Sequence, residues 1–171
     1  MFSDYKIIIY ENNSTDTTKE KLQKIAGEKV IVKCEQFSEE ELLQSGTART
    51  WNYQPFRVEM ISNARNKVLD IIAADEGLKN SDYLIWIDLD FKDWDVNAIA
   101  KCFDTEDWDA ITANCVLANG NYRDTYALRD EKYSFGPEIF GDYWWNKINP
   151  QMGRKLEGNK LIPVLSAFGA S

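Results

Sequence analysis

The chain has 171 residues, which is the size of one domain with a core large enough to fold unaided. Its net charge of −8 disfavours nucleic acid and anionic membrane lipid as partners, because an acidic surface repels phosphate groups. The chain contains no histidine, so Ser-His and Cys-His catalysis and histidine-ligated zinc are excluded, and acid, base or metal chemistry must come mainly from carboxylates.

The amino-terminal part of the chain predicts a strand, a helix and a second strand. A β-rich run over residues 5–10 ends in a polar turn. The helix that follows has Thr17 and Glu20 in the positions of a capping box, and Gly27 stops it. Residues 29–33 form the second predicted strand.

Two more helices are predicted before the middle of the chain. Ser38 and Glu41 form a capping box for a short helix that ends at Gly46. From about residue 56 to residue 74 the apolar positions recur every three or four residues, which is the clearest helical pattern in the chain.

The second half of the chain predicts three more strands and a helix. Residues 83–87 are continuously apolar, which is typical of a central strand buried on both faces. A helix is predicted over residues 96–103, and strands over residues 110–116 and 161–165. The aromatic-rich residues 117–160 follow no clear period.

The alternation of strands and helices predicts an α/β fold with a mainly parallel central sheet. Cys34, Cys102 and Cys115 lie far apart and form no CxxC pair, which predicts free thiols and a reducing, cytoplasmic location. No apolar run is long enough to span a bilayer, and the opening residues do not resemble a signal peptide, so we expect no transmembrane segment.

Two aspartates, Asp88 and Asp90, follow the apolar run of residues 83–87. Residues i and i+2 of an extended segment point the same way, so both carboxylates converge past the carboxyl end of the predicted strand, where α/β sheets bind ligands. Carboxylate oxygens suit Mg²⁺ or Mn²⁺, which often bridge to substrate phosphates. The alternative is a pair of solvated loop acids beside Asp93 and Asp95.

Three other segments carry side chains suited to ligands, and each has a structural alternative. The turn over residues 11–16 can contact a nucleobase or ribose, although a helix start favours the same residue types. Arg65 can bind a diphosphate through its guanidinium group, or it can lie on a solvated helix face. Residues 122–130 mix charged and aromatic side chains as sugar-binding surfaces do, or form an ordinary strand edge and turn.

The order of these motifs resembles the nucleotide-binding half of a GT-A fold glycosyltransferase. The sequence ENNSTD after the first strand, ARN on a helix, and a strand ending in DxD carry the resemblance. The later sequences DTYALRD and IPVLSAFG are similar to those of the Cap59-related α-mannosyltransferase-like group, which is related to fungal capsule-associated proteins. The resemblance covers residues 5–169 and implies one GT-A-like (Rossmann-like) three-layer domain over residues 1–171, without the C-terminal part of the full fold.

The resemblance implies an enzyme, a metal-dependent hexosyltransferase that moves a sugar from a nucleotide-sugar donor to a glycan or another acceptor. It implies that Asp88 and Asp90 hold Mn²⁺ or Mg²⁺ and, through the ion, the diphosphate. The ion would also stabilise the departing nucleotide diphosphate as a Lewis acid.

Five further residues match substrate contacts of the family. Glu11 matches the acidic residue that contacts the base or ribose, and Asp16 matches a second polar contact in the same turn. Arg65 matches a helix residue near the nucleotide. Asp124 and Arg129 fall in the segment that faces the sugar or the acceptor.

One departure from the family pattern and one motif shared with another enzyme class leave alternatives open. GT-A enzymes usually carry a further carboxylate and often a histidine after the last strand seen here, so no catalytic residue is assigned and an inactive, truncated GT-A-like domain is one alternative. A haloacid-dehalogenase-type phosphatase also has a strand ending in DxD, but it normally carries Thr or Val where this chain has Lys92.

Overall fold

The computed structural model of the protein describes most of the chain in two compact units, Met1–Leu84 and Ile85–Ser171. Each unit has its own internal contacts, and the single-domain arrangement stays a prediction. The residues described are 2–38, 41, 54–88, 95–113, 115–136, 139, 143–157 and 160–167.

The first unit contains a βαβ element. Strands β1 (Ile7–Asn12) and β2 (Val30–Glu35) pair in parallel, with Ile7 opposite Val30. Helix α1 (Thr18–Ile25) connects them, because two parallel strands need a crossover rather than a tight hairpin. The two predicted strands and the helix between them are confirmed, and so is the α/β class.

The start of α1 differs from the prediction in its capping. Thr17 is the N-cap residue, but its side chain makes no capping hydrogen bond. The Oδ1 atom of Asp16 accepts a hydrogen bond from the backbone N–H of Thr18 at 2.9 Å. The capping box of Thr17 and Glu20 is therefore wrong, because the carboxylate one residue earlier serves the first turn.

The second predicted capping box is confirmed. The backbone N–H of Glu41 donates to Ser38 Oγ at 3.2 Å, and the backbone N–H of Ser38 donates to a Glu41 carboxylate oxygen at 2.7 Å. The helix predicted from there to Gly46 lies outside the described residues beyond Glu41.

The long helix α2 (Gln54–Ala74) confirms the strongest periodic pattern in the sequence and contacts β1. A short helix α3 (Glu76–Lys79) follows, capped by Asp75, whose Oδ1 accepts from the Gly77 and Leu78 N–H groups. The apolar positions that make the stripe of α2 are all half-buried: Ile61, Ala64, Val68, Ile71 and Ile72.

Helices α1 and α2 lie on opposite faces of the two strands. Gln23 of α1 reaches Cys34, with its amide nitrogen 3.7 Å from the sulfur, and Lys67 of α2 lies 3.8 Å from a carboxylate oxygen of Glu35. Consecutive residues of a strand point to opposite faces, so the two contacts come from opposite sides. A full GT-A sheet stays a prediction, because β1 and β2 are the only strands among the described residues.

The second unit is mostly irregular. Helix α4 (Val96–Cys102) confirms the predicted helix and begins at Asp95, whose Oδ1 accepts from the Asn97 N–H at 2.9 Å. A single π-helical turn covers Trp144–Ile148. Isolated antiparallel bridges pair Val116 with Tyr122 and Arg129 with Ser166. The buried residues among those described in this unit are Tyr122, Thr125, Ala127, Leu128, Arg129, Asp130, Gly136, Trp144 and Gln151.

The three strands predicted in the second half of the chain are wrong. Residues 83–87 form no strand and are exposed, Leu84 by 60%. The described residues of 110–116 and 161–165 also form no strand. Val116 takes part in one isolated bridge, and Ser166, next to the second segment, takes part in the other. An apolar run becomes a buried strand only when neighbouring strands pair with it, and among the described residues no strand pairs with these runs.

The cysteines Cys34, Cys102 and Cys115 are all free thiols. Among the helices of the described residues, none combines the length and the apolar character needed to cross a bilayer.

Candidate functional site

Glu11 lies at the carboxyl end of β1, in the turn that the sequence predicts to contact a nucleotide. Its Oε1 atom accepts a hydrogen bond from the backbone N–H of Ser14 at 2.7 Å. Its Oε2 atom is enclosed from solvent and has no hydrogen-bond partner among the described residues. A buried carboxylate oxygen without a donor is costly, so this atom is suited to a ligand hydroxyl or N–H group.

Asp16 lies in the same turn, five residues further along the chain and exposed to solvent. Hydrogen bonds from the side chain and the backbone N–H of Thr18 lower the pKa of Asp16 below its usual value. The structure therefore brings Glu11 and Asp16 into one turn, and it gives Asp16 a local role at the start of α1.

The turn is attached to the end of β2 by Asn13. The Nδ2 atom of Asn13 donates to the Phe37 carbonyl at 2.8 Å, and its Oδ1 atom accepts from the Phe37 N–H at 3.1 Å. Asn13 has a φ of 61°, in the left-handed region that asparagine adopts more readily than most residues. From the sequence, the turn that contains Asn13 was interpreted as a ligand contact or as a helix start, and neither interpretation includes this attachment to Phe37.

Arg65 lies on the half-buried face of α2, one turn from the apolar residues Ile61 and Val68. Its Nε atom is enclosed from solvent. The structure therefore places Arg65 on a half-buried helix face, and its role at a nucleotide stays a prediction.

Asp88 is half-buried at the end of the exposed run of residues 83–87, and Asp90 lies outside the described residues. Within the described parts of the chain, no three histidine, cysteine, aspartate or glutamate side chains are grouped closely enough to hold a metal ion. The donor set itself fits a hard cation, because two carboxylates supply only oxygen ligands. The convergence of Asp88 and Asp90 stays a prediction.

Arg129, predicted to face the sugar or the acceptor, is only 8% exposed. Its guanidinium carbon lies 5.4 Å from the centre of the Trp144 ring, and its NH1 group donates to the Leu128 carbonyl at 2.8 Å. Gly136 leaves the space that the guanidinium occupies, because a Cβ atom there would lie 1.5 Å from Nη2 and 2.1 Å from Cζ. The predictions missed Gly136, for which a glycine between an aromatic residue and proline is the only sequence signal.

Asp124 begins the same segment and holds its turn. Its Oδ1 atom accepts from the Ala127 N–H at 3.2 Å, and its backbone carbonyl accepts from the Leu128 N–H at 3.3 Å. These bonds give Asp124 a local structural role and leave the predicted contact to substrate untested.

The two narrower motifs of the family resemblance meet in this unit. Ser166 of the SAFG sequence donates through Oγ to the Ala127 carbonyl at 2.9 Å. The Arg129 N–H donates to the Ser166 carbonyl at 2.7 Å, and the Leu165 N–H donates to the Arg129 carbonyl at 2.8 Å. The sequence DTYALRD is therefore hydrogen-bonded to Leu165 and Ser166.

A buried polar network extends from this motif pair. Gln151 is fully buried and donates through Nε2 to the Leu128 carbonyl at 2.8 Å, while its Oε1 atom accepts from Arg154 at 2.7 Å. Arg154 also forms an ion pair with Asp130 and lies 5.2 Å from the centre of the Tyr133 ring. The sequence interpretation missed Gln151 and Arg154, because their partners are far along the chain.

This network lowers the pKa of the Asp130 carboxyl group. Burial alone would raise the pKa of Asp130, but hydrogen bonds from Arg154 and from the Tyr133 N–H hold the pKa below its usual value. An open pocket of about 500 Å³ lies beside the pair, lined by Asp130, Glu131, Lys132, Arg154, Ile162, Pro163, Val164 and Leu165.

The comparison with protein families identifies the chain. A model of a mannosyltransferase family matches residues 3–170, so the chain is of the glycosyltransferase class. That family is described as Cryptococcal mannosyltransferase 1, and the chain belongs to it. The resemblance to the Cap59-related group, expected from DTYALRD and SAFG, is thereby confirmed.

Two further comparisons found no similar protein. Neither a curated protein nor a solved structure matches the chain significantly.

Proposed function

We propose that the chain is a metal-dependent hexosyltransferase that transfers mannose from a nucleotide-sugar donor to a glycan or another acceptor. The match to a mannosyltransferase family over residues 3–170 carries this proposal, because it spans both the ENNSTD turn and the DTYALRD motif. The comparisons give neither the inactive domain nor the phosphatase more support than the transferase.

The surroundings of Glu11 support binding of the nucleotide at the end of β1. Glu11 Oε1 accepts a hydrogen bond from the Ser14 N–H, whereas the enclosed Oε2 atom has no donor in the part of the chain that the structure describes. A ribose hydroxyl or a base N–H would satisfy Oε2, and a hydrogen bond to a charged acceptor is among the stronger ones. Arg65, on the helix that contacts β1, is the proposed partner of the diphosphate.

Asp88 and Asp90 are proposed to hold Mn²⁺ or Mg²⁺. The bound ion would supply positive charge to the diphosphate and stabilise the nucleotide as a leaving group. The chain needs such a charge because its own net charge is −8 and the donor is anionic. Asp124 and Arg129 are proposed to shape the surface that meets the sugar or the acceptor, since their segment ends at the pocket beside Asp130.

Calorimetric titration with UDP, GDP and CMP, with and without Mn²⁺, tests the proposal. We expect one nucleotide to bind the wild type in a metal-dependent way. Asp90→Asn keeps the size of the side chain and removes its charge, so metal-dependent affinity falls by about tenfold or more, because hard cations prefer anionic oxygen. Release of the nucleotide from the matching mannose donor measures transfer.

Asp109→Asn is the matched control, because Asp109 is an exposed aspartate of the same unit outside the proposed site. It should bind as the wild type does. If Asp90→Asn also binds as the wild type does, with metal required in neither protein, the metal site is wrong. A folded wild type that binds no nucleotide favours the inactive-domain alternative.

A further inference from the structure

The side chain of Asn13 anchors the turn after β1, because its amide forms hydrogen bonds with a backbone partner as a peptide group does. The amide of Asn13 exchanges two hydrogen bonds with the backbone of Phe37, at 2.8 Å and 3.1 Å. The backbone N–H of Asn13 also donates to the Glu35 carbonyl at 3.3 Å. These three bonds continue the pairing of β1 with β2 by one residue beyond the register of the strands.

The carboxylate of Glu11 depends on the path of this turn. Glu11 Oε1 accepts from the Ser14 N–H at 2.7 Å, and Ser14 directly follows Asn13. This bond orients the carboxylate and leaves the enclosed Oε2 atom without a donor. A change of the backbone at Asn13 moves the Ser14 N–H and therefore turns the Glu11 carboxylate.

We infer that Asn13 is a positioning residue, which aims Glu11 Oε2 at the nucleotide by attaching the turn to Phe37. The inference rests on the proposed function, in which Glu11 contacts the donor. The inference assigns the Asn13 amide to the Phe37 backbone, with which it exchanges both of its hydrogen bonds shown here, rather than to the ligand.

Asparagine meets two requirements that few residues meet together. The φ of 61° is unfavourable for most side chains, and glycine and asparagine tolerate it best. Only asparagine also offers a donor and an acceptor at the right distance for a backbone partner. Asn13→Gly keeps the backbone conformation accessible and removes both hydrogen bonds to Phe37. It therefore tests the loss of these bonds without adding backbone strain.

A double-mutant cycle of Asn13→Gly and Glu11→Gln tests the inference, with UDP, GDP and CMP in the presence of Mn²⁺ as the probes. Glu11→Gln weakens binding because it removes the charged acceptor. Asn13→Gly lowers the affinity for the same nucleotide by about tenfold in the wild-type background. In the Glu11→Gln background it causes little further loss, because both changes remove one interaction.

Hydrogen exchange at the Ser14 amide is the second measurement, and it needs no ligand. Exchange at Ser14 accelerates in Asn13→Gly, while the amides paired between β1 and β2 stay protected. Asn80→Gly is the matched control, because Asn80 bonds the Glu76 carbonyl at 2.7 Å in the same unit and has no part in the turn. It should leave both the affinity and the Ser14 exchange unchanged.

The outcomes separate the inference from the proposed function. Equal losses from Asn13→Gly in both backgrounds, or an unchanged Ser14 exchange rate, would overturn the positioning role. If no nucleotide binds the wild type, or if Glu11→Gln binds normally, the proposed contact at Glu11 is wrong, and the Ser14 exchange rate alone decides whether Asn13 positions the turn.

Discussion

The two units of the chain are stabilised in different ways. The first unit has regular elements, with β1 and β2 paired in parallel and helices α1 and α2 on opposite faces. Among its described residues, Leu78 alone is buried. Among the described residues of the second unit, the regular elements with a defined range are helix α4 and the π-helical turn, yet this unit contains all the other buried residues among those described.

This difference shows that regular structure and burial are separate sources of order. Backbone pairing and helical periodicity organise the described part of the first unit, in which the apolar side chains of α2 are half-buried. In the second unit, the backbone of residues 124–130 is ordered by side chains such as Gln151 and Arg154, which satisfy buried polar groups. Substitutions of buried side chains should therefore cost the second unit more than similar substitutions cost the first.

The largest effect is expected from Leu128→Ala. Leu128 is 1% exposed, and truncation of such a leucine leaves a cavity that costs about 4 kcal/mol of unfolding free energy. Leu69→Ala is the control, because Leu69 of α2 is 46% exposed and its loss costs under about 1 kcal/mol. Denaturant unfolding, with hydrogen exchange to assign the loss to a unit, measures both. Equal losses would contradict the comparison.

A smaller loss is expected from Gly136→Ala. The new Cβ atom would overlap the Arg129 guanidinium, which must leave its place on Trp144, at a cost of about 3 kcal/mol. Gly27→Ala in the first unit meets no atom within 4 Å, so its stability should stay within about 0.5 kcal/mol of the wild type. Thermal unfolding and the near-ultraviolet signal of tryptophan report the change, and an unaltered signal for Gly136→Ala would show that Arg129 keeps its place.

Acid should weaken the second unit through Asp130. Since the pKa of Asp130 is lower in the folded protein than its usual 3.8, its contribution to stability is present above about pH 4 and is lost as pH falls through the folded pKa. Asp130→Asn should cost about 2 kcal/mol at neutral pH and reduce the slope of stability against pH in the acid range. Hydrogen exchange of the second unit between pH 3 and pH 6 measures the slope, and an unchanged slope would contradict the role of Asp130.

The smallest effect is expected in the first unit, from Tyr10→Phe. The Tyr10 hydroxyl donates to a Glu35 carboxylate oxygen at 2.7 Å, and Glu35 keeps Lys33 and Lys67 as neighbours after the change, so the loss is about 1 kcal/mol. Burial and the Glu35 carboxylate raise the pKa of Tyr10 above 10, so its contribution to stability falls as pH rises past 10.

Tyr5→Phe is the control for this substitution, because the Tyr5 side chain is largely exposed and should have no measurable effect. Alkaline unfolding of the three proteins compares them. A loss in Tyr10→Phe as large as that in Leu128→Ala would mean that the first unit depends on a buried polar pair as the second does.

The sequence was a sufficient guide for several local signals, although the equally local capping box of Thr17 and Glu20 was wrong. The helix that became α2 follows from the three- and four-residue spacing of Ile61, Ala64 and Val68, and it was predicted within two residues. The capping box of Ser38 and Glu41 depends on two residues three apart, and it is also observed. The family resemblance of DTYALRD and SAFG was confirmed because it is a property of the sequence itself.

The candidate site was only partly predictable. Glu11 was chosen for its place at the end of a strand, and the structure adds that one of its oxygens is enclosed without a donor. Arg65 was assigned to a helix, but its half-buried position depends on which face α2 turns toward β1. The expectation that Arg129 faces a substrate stays a prediction, and the structure adds that contacts with Trp144 and Gly136 enclose its side chain.

The sequence by itself determined the α/β class, the helices with a clear period and the family, because these depend on neighbouring residues or on motifs. Only the tertiary structure decided that residues 83–87 are exposed, that Asn13 bonds Phe37 and that Gly136 accommodates Arg129. Each of these depends on a partner distant in sequence, or on its absence among the described residues. An apolar run or an arginine has the same local pattern whether or not such a partner is present, so burial and pairing follow only from the folded chain.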